Sequence, residues 1–178
     1  MSGRLRILKS SKFIRKKHDH FLLISAKNLL IFNDVRKFGF IDLIKTKDLY
    51  KTNYIVQLGM DALDKKLDVK YLQSKIGKSI VPIKQILLDQ RVIAGIGNIY
   101  ASEILYDAKL SPFAKGYSLN LIEIKKIIKS IKKILRKAIN SGGSTLKDYV
   151  SADGTIGNFQ NKFKVYNREG KKILGYKI

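Results

Sequence analysis

The sequence predicts an α+β protein in which β structure comes first and helices follow. Three observations carry this. Residues 1–57 hold short apolar runs separated by turn residues. From Pro82 onward, apolar residues recur at helical spacing. Between the two, residues 58–70 (LGMDALDKKLDVK) read as a connector. A length of 178 residues suits one domain or two small ones, and 45% hydrophobic residues can supply a core.

Taken in order, HFLLIS and LLIFND flank Ala26-Lys27-Asn28 and read as a β-hairpin. FGFIDLI reads as a further strand. PIKQILLDQRV opens a helix with Pro82 in its first turn. NIYASEILYDAKL puts Ala101, Ile104, Leu105 and Ala108 on one helical face. Pro112 and Gly116 then interrupt. NLIEIKKIIKSIKKILRKAINSGG is the clearest helix, with Ile124, Ile127, Ile128, Ile131, Leu135 and Ala138 as its apolar stripe. Asn120 and Glu123 have capping-box spacing, and Gly142-Gly143 supply the stop. Its lysine-rich other side reads as a solvated helix face. The tail, DYVSADGTIGNFQNKFKVYNREGKKILGYKI, is punctuated by Gly and Asn and carries a short strand at KFKVY. There is no internal repeat.

Charge bounds the partners. With 36 Lys and Arg against 14 Asp and Glu, the formal net charge is +22. Such an excess of one sign repels itself unless a polyanion is near. Nucleic acid is the leading partner and an anionic membrane surface the second. No apolar run approaches the roughly 20 residues of a spanning helix. The N-terminal residues carry no apolar signal-peptide core, so a cytoplasmic protein is expected. The sequence contains no cysteine, which excludes disulfides and thiolate metal sites within it.

QRVIAGIGNIYASE, residues 90–103, sets two glycines and an asparagine between helix-like runs. Read alone it is a tight helix–helix turn. Asn98 stands at a helix start, where free backbone N–H groups and the positive end of the dipole favour a phosphate. Gly95 and Gly97 remove side chains that would hold a ligand backbone away. His18 and His20 alternate and read as one strand face, but no third metal ligand accompanies them and no metal is expected.

Four segments, in order and spanning nearly the whole chain, resemble the formamidopyrimidine-DNA glycosylase family of bacterial repair enzymes that excise oxidised purines. They are MSGRLRIL, KHDHFLL with NDVRKFG, PIKQILLDQRVIAGIGNIYASEILY, and GGSTLKDYVSADGTIGNFQNKFKVYNREG. The resemblance implies a partial β-sandwich at residues 1–57, a linker at 58–72, a helix-two-turn-helix DNA-binding domain at 73–143, and a lesion-loop-like segment with tail at 144–178. Damaged double-stranded DNA is the implied partner, with the nucleoid as the place of action.

Site residues are implied position by position. GIGN, with Gly95, Gly97 and Asn98, matches the phosphate-binding turn. His18 matches a histidine that contacts the DNA backbone. Lys78 lies near the family's basic backbone contact, although strict spacing selects Ser79. Arg36 and Phe38 match the arginine and aromatic that fill the hole left by a flipped base, where a planar cation and a ring replace lost stacking and pairing. Val35-Arg36-Lys37 stands where the family has Pro-Arg-Arg. Phe38 read alone is an ordinary buried strand residue. Met1 matches a third gap-filling residue. Asp153, Gly154 and Gly157 match the loop that closes over the lesion through backbone amides.

The family's catalytic proline amine, its neighbouring glutamate and its hairpin lysine all precede MSG, and its four-cysteine zinc hairpin with a minor-groove arginine follows VYNREG. The resemblance therefore implies a DNA-binding fragment cut at both ends, with no catalytic residue and no cofactor. It leaves two alternatives: an enzyme half completed in trans by a separately encoded N-terminal half, and a basic nucleic-acid-binding or structural protein outside the family.

Overall fold

The computed structural model describes residues 3–9, 13–144, 157–173 and 176–177. The chain divides into two units, one formed by residues 1–44 and 138–162, the other by residues 45–137 and 163–178.

The first unit is built on a three-stranded antiparallel sheet. Strands β1 (Gly3–Lys9), β2 (Asp19–Ile24) and β3 (Asn28–Asp34) run in the order β1-β3-β2. The hairpin between β2 and β3 is where the sequence places it. Pairing of Leu5 with Phe32 and Ile7 with Leu30, and of Phe21 with Phe32 and Leu23 with Leu30, puts these six side chains on one face. The other face carries Leu29 and Ile31, 3% and 0% exposed. Asp19, buried in β2, joins all three strands. Arg6 of β1 donates to both its carboxylate oxygens at 2.8 and 3.0 Å, and Asn33 of β3 donates at 2.8 Å. The backbone N–H of Lys16 adds a fourth bond. Burial opposes the charge on Asp19, but these donors hold its carboxyl below the ordinary carboxylate range.

The expected strand at FGFIDLI does not form: residues 38–44 pair with no strand. Phe38, Phe40 and Leu43 are 81, 68 and 99% exposed, so apolar alternation there has no sheet to join.

The second unit is helical. A 3-10 turn (Thr46–Lys51) and α1 (Asn53–Val56) lead to the two-residue β4 (Met60–Asp61), then α2 (Val69–Ile76) and α3 (Ile83–Leu88). The β5 pair (Ile93–Ala94), α4 (Asn98–Ala108) and α5 (Leu121–Ile139) follow. Residues 46–51 and 53–56 are thus helical rather than β, and belong here. The stretch 58–72 is not a linker. β4 pairs in parallel with β5, and Ala62, Leu67 and Leu72 are buried with the helices. The capping box is present: Asn120 Oδ1 accepts from the Glu123 N–H and Glu123 Oε2 accepts from the Asn120 N–H, both at 2.9 Å. The predicted stripe of α5 is its buried side. Gly142 and Gly143 follow it at φ 72° and 82°, conformations that L side chains rarely adopt.

The strand expected at KFKVY is also absent. Glu103, on α4 and 2% exposed, accepts four hydrogen bonds from the backbone N–H groups of Lys164, Val165 and Tyr166 at 2.9–3.0 Å. Three successive amides converging on one carboxylate make a turn and leave no ladder to build. A short antiparallel pair of β6 (Lys172–Ile173) and β7 (Tyr176–Lys177) follows. Among the described residues no helix is long and apolar enough to cross a membrane.

Candidate nucleic-acid interface

In the helical unit, Gly97 is the N-cap of α4 and Asn98 its first residue. No side chain caps this helix start, so the first-turn N–H groups are not occupied by a capping oxygen. Asn98 is exposed. Gly95 has φ +97°, which explains a glycine there on backbone grounds. Gly97, at φ −106°, does not need to be glycine for its own conformation. A Cβ at either position meets nothing within 4 Å. The turn is therefore open on its outer side.

Gln90, which sequence reading passed over, sets the shape of this turn. Its Oε1 accepts from the Gly95 N–H at 2.8 Å, and its Nε2 donates to the carbonyls of Leu88 (3.1 Å) and Ile96 (2.9 Å). The signal was a side chain with both donor and acceptor placed five residues before the glycine. A groove of about 610 Å³ runs beside the start of α4, lined by Lys84, Asn98, Ser102, Tyr106, Phe113 and Tyr166 among others. Lys84, on α3, thus shares a groove with Asn98.

Arg91, nearby in sequence, is occupied. Its guanidinium holds Asp89 at 2.8–2.9 Å and, with its own backbone N–H, brings that carboxyl down to about 2. Lys78 does not line the groove; it is exposed in the turn after α2. Its neighbour Ser79 is used internally, its hydroxyl accepting from the Val81 N–H.

In the sheet unit, the chain around Asp34 carries three expected residues, His18, Arg36 and Phe38. Asp34, 1% exposed at the end of β3, accepts from the N–H groups of Arg36 (3.2 Å) and Gly39 (2.8 Å). This closes the loop 34–39, with Lys37 at φ 58°. The Asp34 N–H donates to the carbonyl of His18 at 3.1 Å. At the rim of this loop the Arg36 guanidinium lies 5.6 Å over the Phe38 ring. Phe38 is exposed and not the buried strand residue its sequence context suggests. An Asx-turn signal, Asp34 before VRKFG, was present in the sequence and marks the anchor.

His18 sits in the turn before β2 at φ 73°, so it does not share a strand face with His20. His20 Nε2 instead bonds the Asp34 carbonyl at 2.9 Å. Among the described residues no three His, Asp or Glu side chains gather to hold a metal. With no cysteine in the chain, a four-thiolate zinc site has no fit here.

Met1, Asp153 and Gly154 lie outside the described residues. Gly157 is described and buried, and a Cβ there would lie 2.2 Å from the Gly143 carbonyl oxygen. An antiparallel bridge between Ser144 and Asn158 stands beside it.

Comparison with known proteins gives a consistent result. The family model described as "Formamidopyrimidine-DNA glycosylase H2TH domain" matches residues 58–150. The formamidopyrimidine-DNA glycosylase of Zymomonas mobilis is 47% identical over 97% of this chain and 63% of its own length. That of Rickettsia conorii is 43% identical over 98% of this chain and, again, 63% of its own length. Among solved structures, a Lactococcus lactis FPG mutant in complex with a Fapy-dG containing DNA has a TM-score of 0.89 at 37% identity, covering 98% of this chain and 64% of that one. The Lactococcus lactis Fpg complex with an abasic site containing DNA has a TM-score of 0.88 at the same identity. The chain thus spans a little under two thirds of the relatives it matches.

Proposed function

The chain belongs to the formamidopyrimidine-DNA glycosylase family, and from that premise we propose that it binds damaged duplex DNA through the start of α4 and the Asp34-anchored loop. The observation that carries this is the uncapped, open glycine turn at Gly95–Asn98, held in shape by Gln90. Helix-start N–H groups, the Asn98 amide and Lys84 in the adjoining groove together suit a phosphate. Arg36 and Phe38, exposed and mutually stacked, suit the gap left by a flipped base. His18 is the backbone contact beside them, and Lys78 contributes charge only. The lesion class is oxidised purine, 8-oxoguanine or formamidopyrimidine.

We propose no excision step for residues 1–178, since the DNA-contacting residues named here include no nucleophile. A second reading is favoured by the sheet: Leu5, Ile7, Phe21 and Leu23 are 48, 52, 38 and 56% exposed on one face. A β-sheet packs such a face against another layer. A separately encoded N-terminal half that supplies this layer would complete an enzyme.

One experiment addresses both readings. Wild type and Asn98→Ala are titrated onto duplexes with and without 8-oxoguanine, in the presence of borohydride. Asn98→Ala is expected to weaken binding to every duplex by roughly ten- to a hundredfold, because a hydrogen bond to a charged phosphate contributes roughly 1.5–3 kcal/mol and carries no base information. No covalent adduct is expected on the intact lesion. Unchanged affinity removes the helix-start reading; a strong adduct without a second polypeptide makes the chain an enzyme in its own right.

A further inference from the structure

The solvent side of α5 is an unbroken positive field. At about 100° per residue, Lys125, Lys129, Lys132 and Arg136 form one stripe, and Lys126, Lys133 and Lys137 a second beside it. No acidic residue occurs between Glu123 and Asp148. From other elements, two groups engage the field. Asp107, near the end of α4, takes Lys133 and the Ser130 hydroxyl, and the Leu67 carbonyl takes Lys132 at 3.2 Å. Burial opposes ionisation of Asp107, yet Lys133 and Ser130 keep its carboxyl below the ordinary range. Lys125, Lys126, Lys129 and Arg136 have no ion-pair partner among the described residues.

Helix energetics alone do not account for this face. The dipole favours Arg136 and Lys137 in the last turn but not Lys125, Lys126 and Lys129. Lys125 with Lys129, Lys129 with Lys133, and Lys132 with Arg136 are like-charge neighbours four residues apart, which repel. A polyanion relieves that repulsion.

We propose that the solvent face of α5 is a second phosphate-tracking surface for duplex DNA, separate from the start of α4. The Lys125–Arg136 stripe runs eleven residues, roughly 16 Å at 1.5 Å per residue. Duplex DNA presents one charge per roughly 1.7 Å of axis, so the stripe meets several phosphates. Lysines reaching phosphates carry no sequence information, so the surface binds without sequence preference. The two surfaces are distinct: Lys133 contacts Asp107, nine residues along α4 from Asn98, roughly 13 Å away. A bilayer is the poorer match. A membrane-surface helix buries its apolar side in lipid, whereas Ile124, Ile127 and Ile131 are 1, 0 and 0% exposed in the protein core.

The test uses the full chain with Lys125→Gln, Lys126→Gln, Lys129→Gln and Arg136→Gln combined, none of which touches Asp107. Affinity for a short duplex is measured between about 50 and 200 mM salt. The log–log slope is expected to become shallower by roughly 0.9 for each lost contact, up to about 3.6. Adding Asn98→Ala is expected to lower affinity further by its own factor, since the sites are independent. Lys125→Gln with Lys129→Gln alone carries the same test at about half the slope change, should the fourfold variant melt early. A slope equal to wild type overturns the proposal, as does loss of binding to phosphatidylserine vesicles with duplex binding intact. Because Asn98 is varied separately, failure here and failure of the helix-start reading appear in different proteins.

Discussion

Glu103 in the helical unit and Asp19 in the sheet unit are both buried carboxylates, 2% and 4% exposed, yet they are satisfied by different partners. Glu103 accepts only backbone N–H groups, from a segment some sixty residues away in sequence, and has no ion pair among the described residues. It fixes the path of the chain. Asp19 takes a guanidinium and an amide from the two other strands and so fixes their register. The units differ in the same sense overall. The helical unit buries an apolar core between its helices, around Leu72, Ile83, Leu87, Ile104 and Ile127, while the sheet is locked by polar groups and leaves the Leu5, Ile7 and Leu23 face exposed. Polar fastening within a sheet secures strand alignment and does nothing to cover a face; burial of a second layer does that.

The comparison is broken most severely at Glu103. Glu103→Ala leaves three backbone donors without their acceptor, and is expected to cost about 3–5 kcal/mol, since each unmet buried donor costs roughly 1–3 kcal/mol and the four bonds are not independent. Urea unfolding measures it; a loss below about 1 kcal/mol would mean that water replaces the carboxylate.

Next comes a paired test within the sheet. Ile31→Ala, at a fully buried position, is expected to cost about 3 kcal/mol. Leu23→Thr, on the open face, is expected to change stability by less than about 0.5 kcal/mol and to reduce self-association. Equal costs from the two changes would show that the open face is covered in solution.

The smallest effect is one of pH. The folded pKa of Asp19 lies below its unfolded value, so its contribution is present above the unfolded pKa and is lost as pH falls through the folded one. Asp19→Asn is therefore expected to cost about 2 kcal/mol near neutrality. That difference from wild type should shrink steadily below about pH 4, when the native carboxyl also becomes neutral. A constant difference across that range would place the effect in packing and not in charge.

Legibility in the sequence followed the range of the interaction. The capping box at Asn120 and Glu123, the stripe of α5 and the β2–β3 hairpin are set by neighbours within a few residues, and all were readable. KFKVY reads as a strand because its alternation is local, whereas the acceptor that bends it, Glu103, lies in a helix with no distinguishing pattern around it. FGFIDLI reads as a strand for the same reason, and pairing needs a partner that composition does not reveal. The 58–72 stretch reads as a linker because its attachment is a two-residue parallel pairing, far below any periodic signal. At the candidate site, the glycine turn and the helix start at Asn98 are legible from residue type, while the groove that joins Lys84 to Asn98 exists only once the helices pack.

The bonds from Gln90 also bear on kinetics. A glycine turn left free would sample many backbone states, and ordering each residue costs roughly 1–2 kcal/mol. Gln90 fixes Gly95 and Ile96 while the chain folds, so that loss is already complete before any phosphate arrives. Docking at such a turn requires no closing step. If the turn takes phosphates as proposed, the association rate is set by diffusion and by attraction toward a chain of charge +22, and the lifetime of the complex by how many phosphates stay engaged.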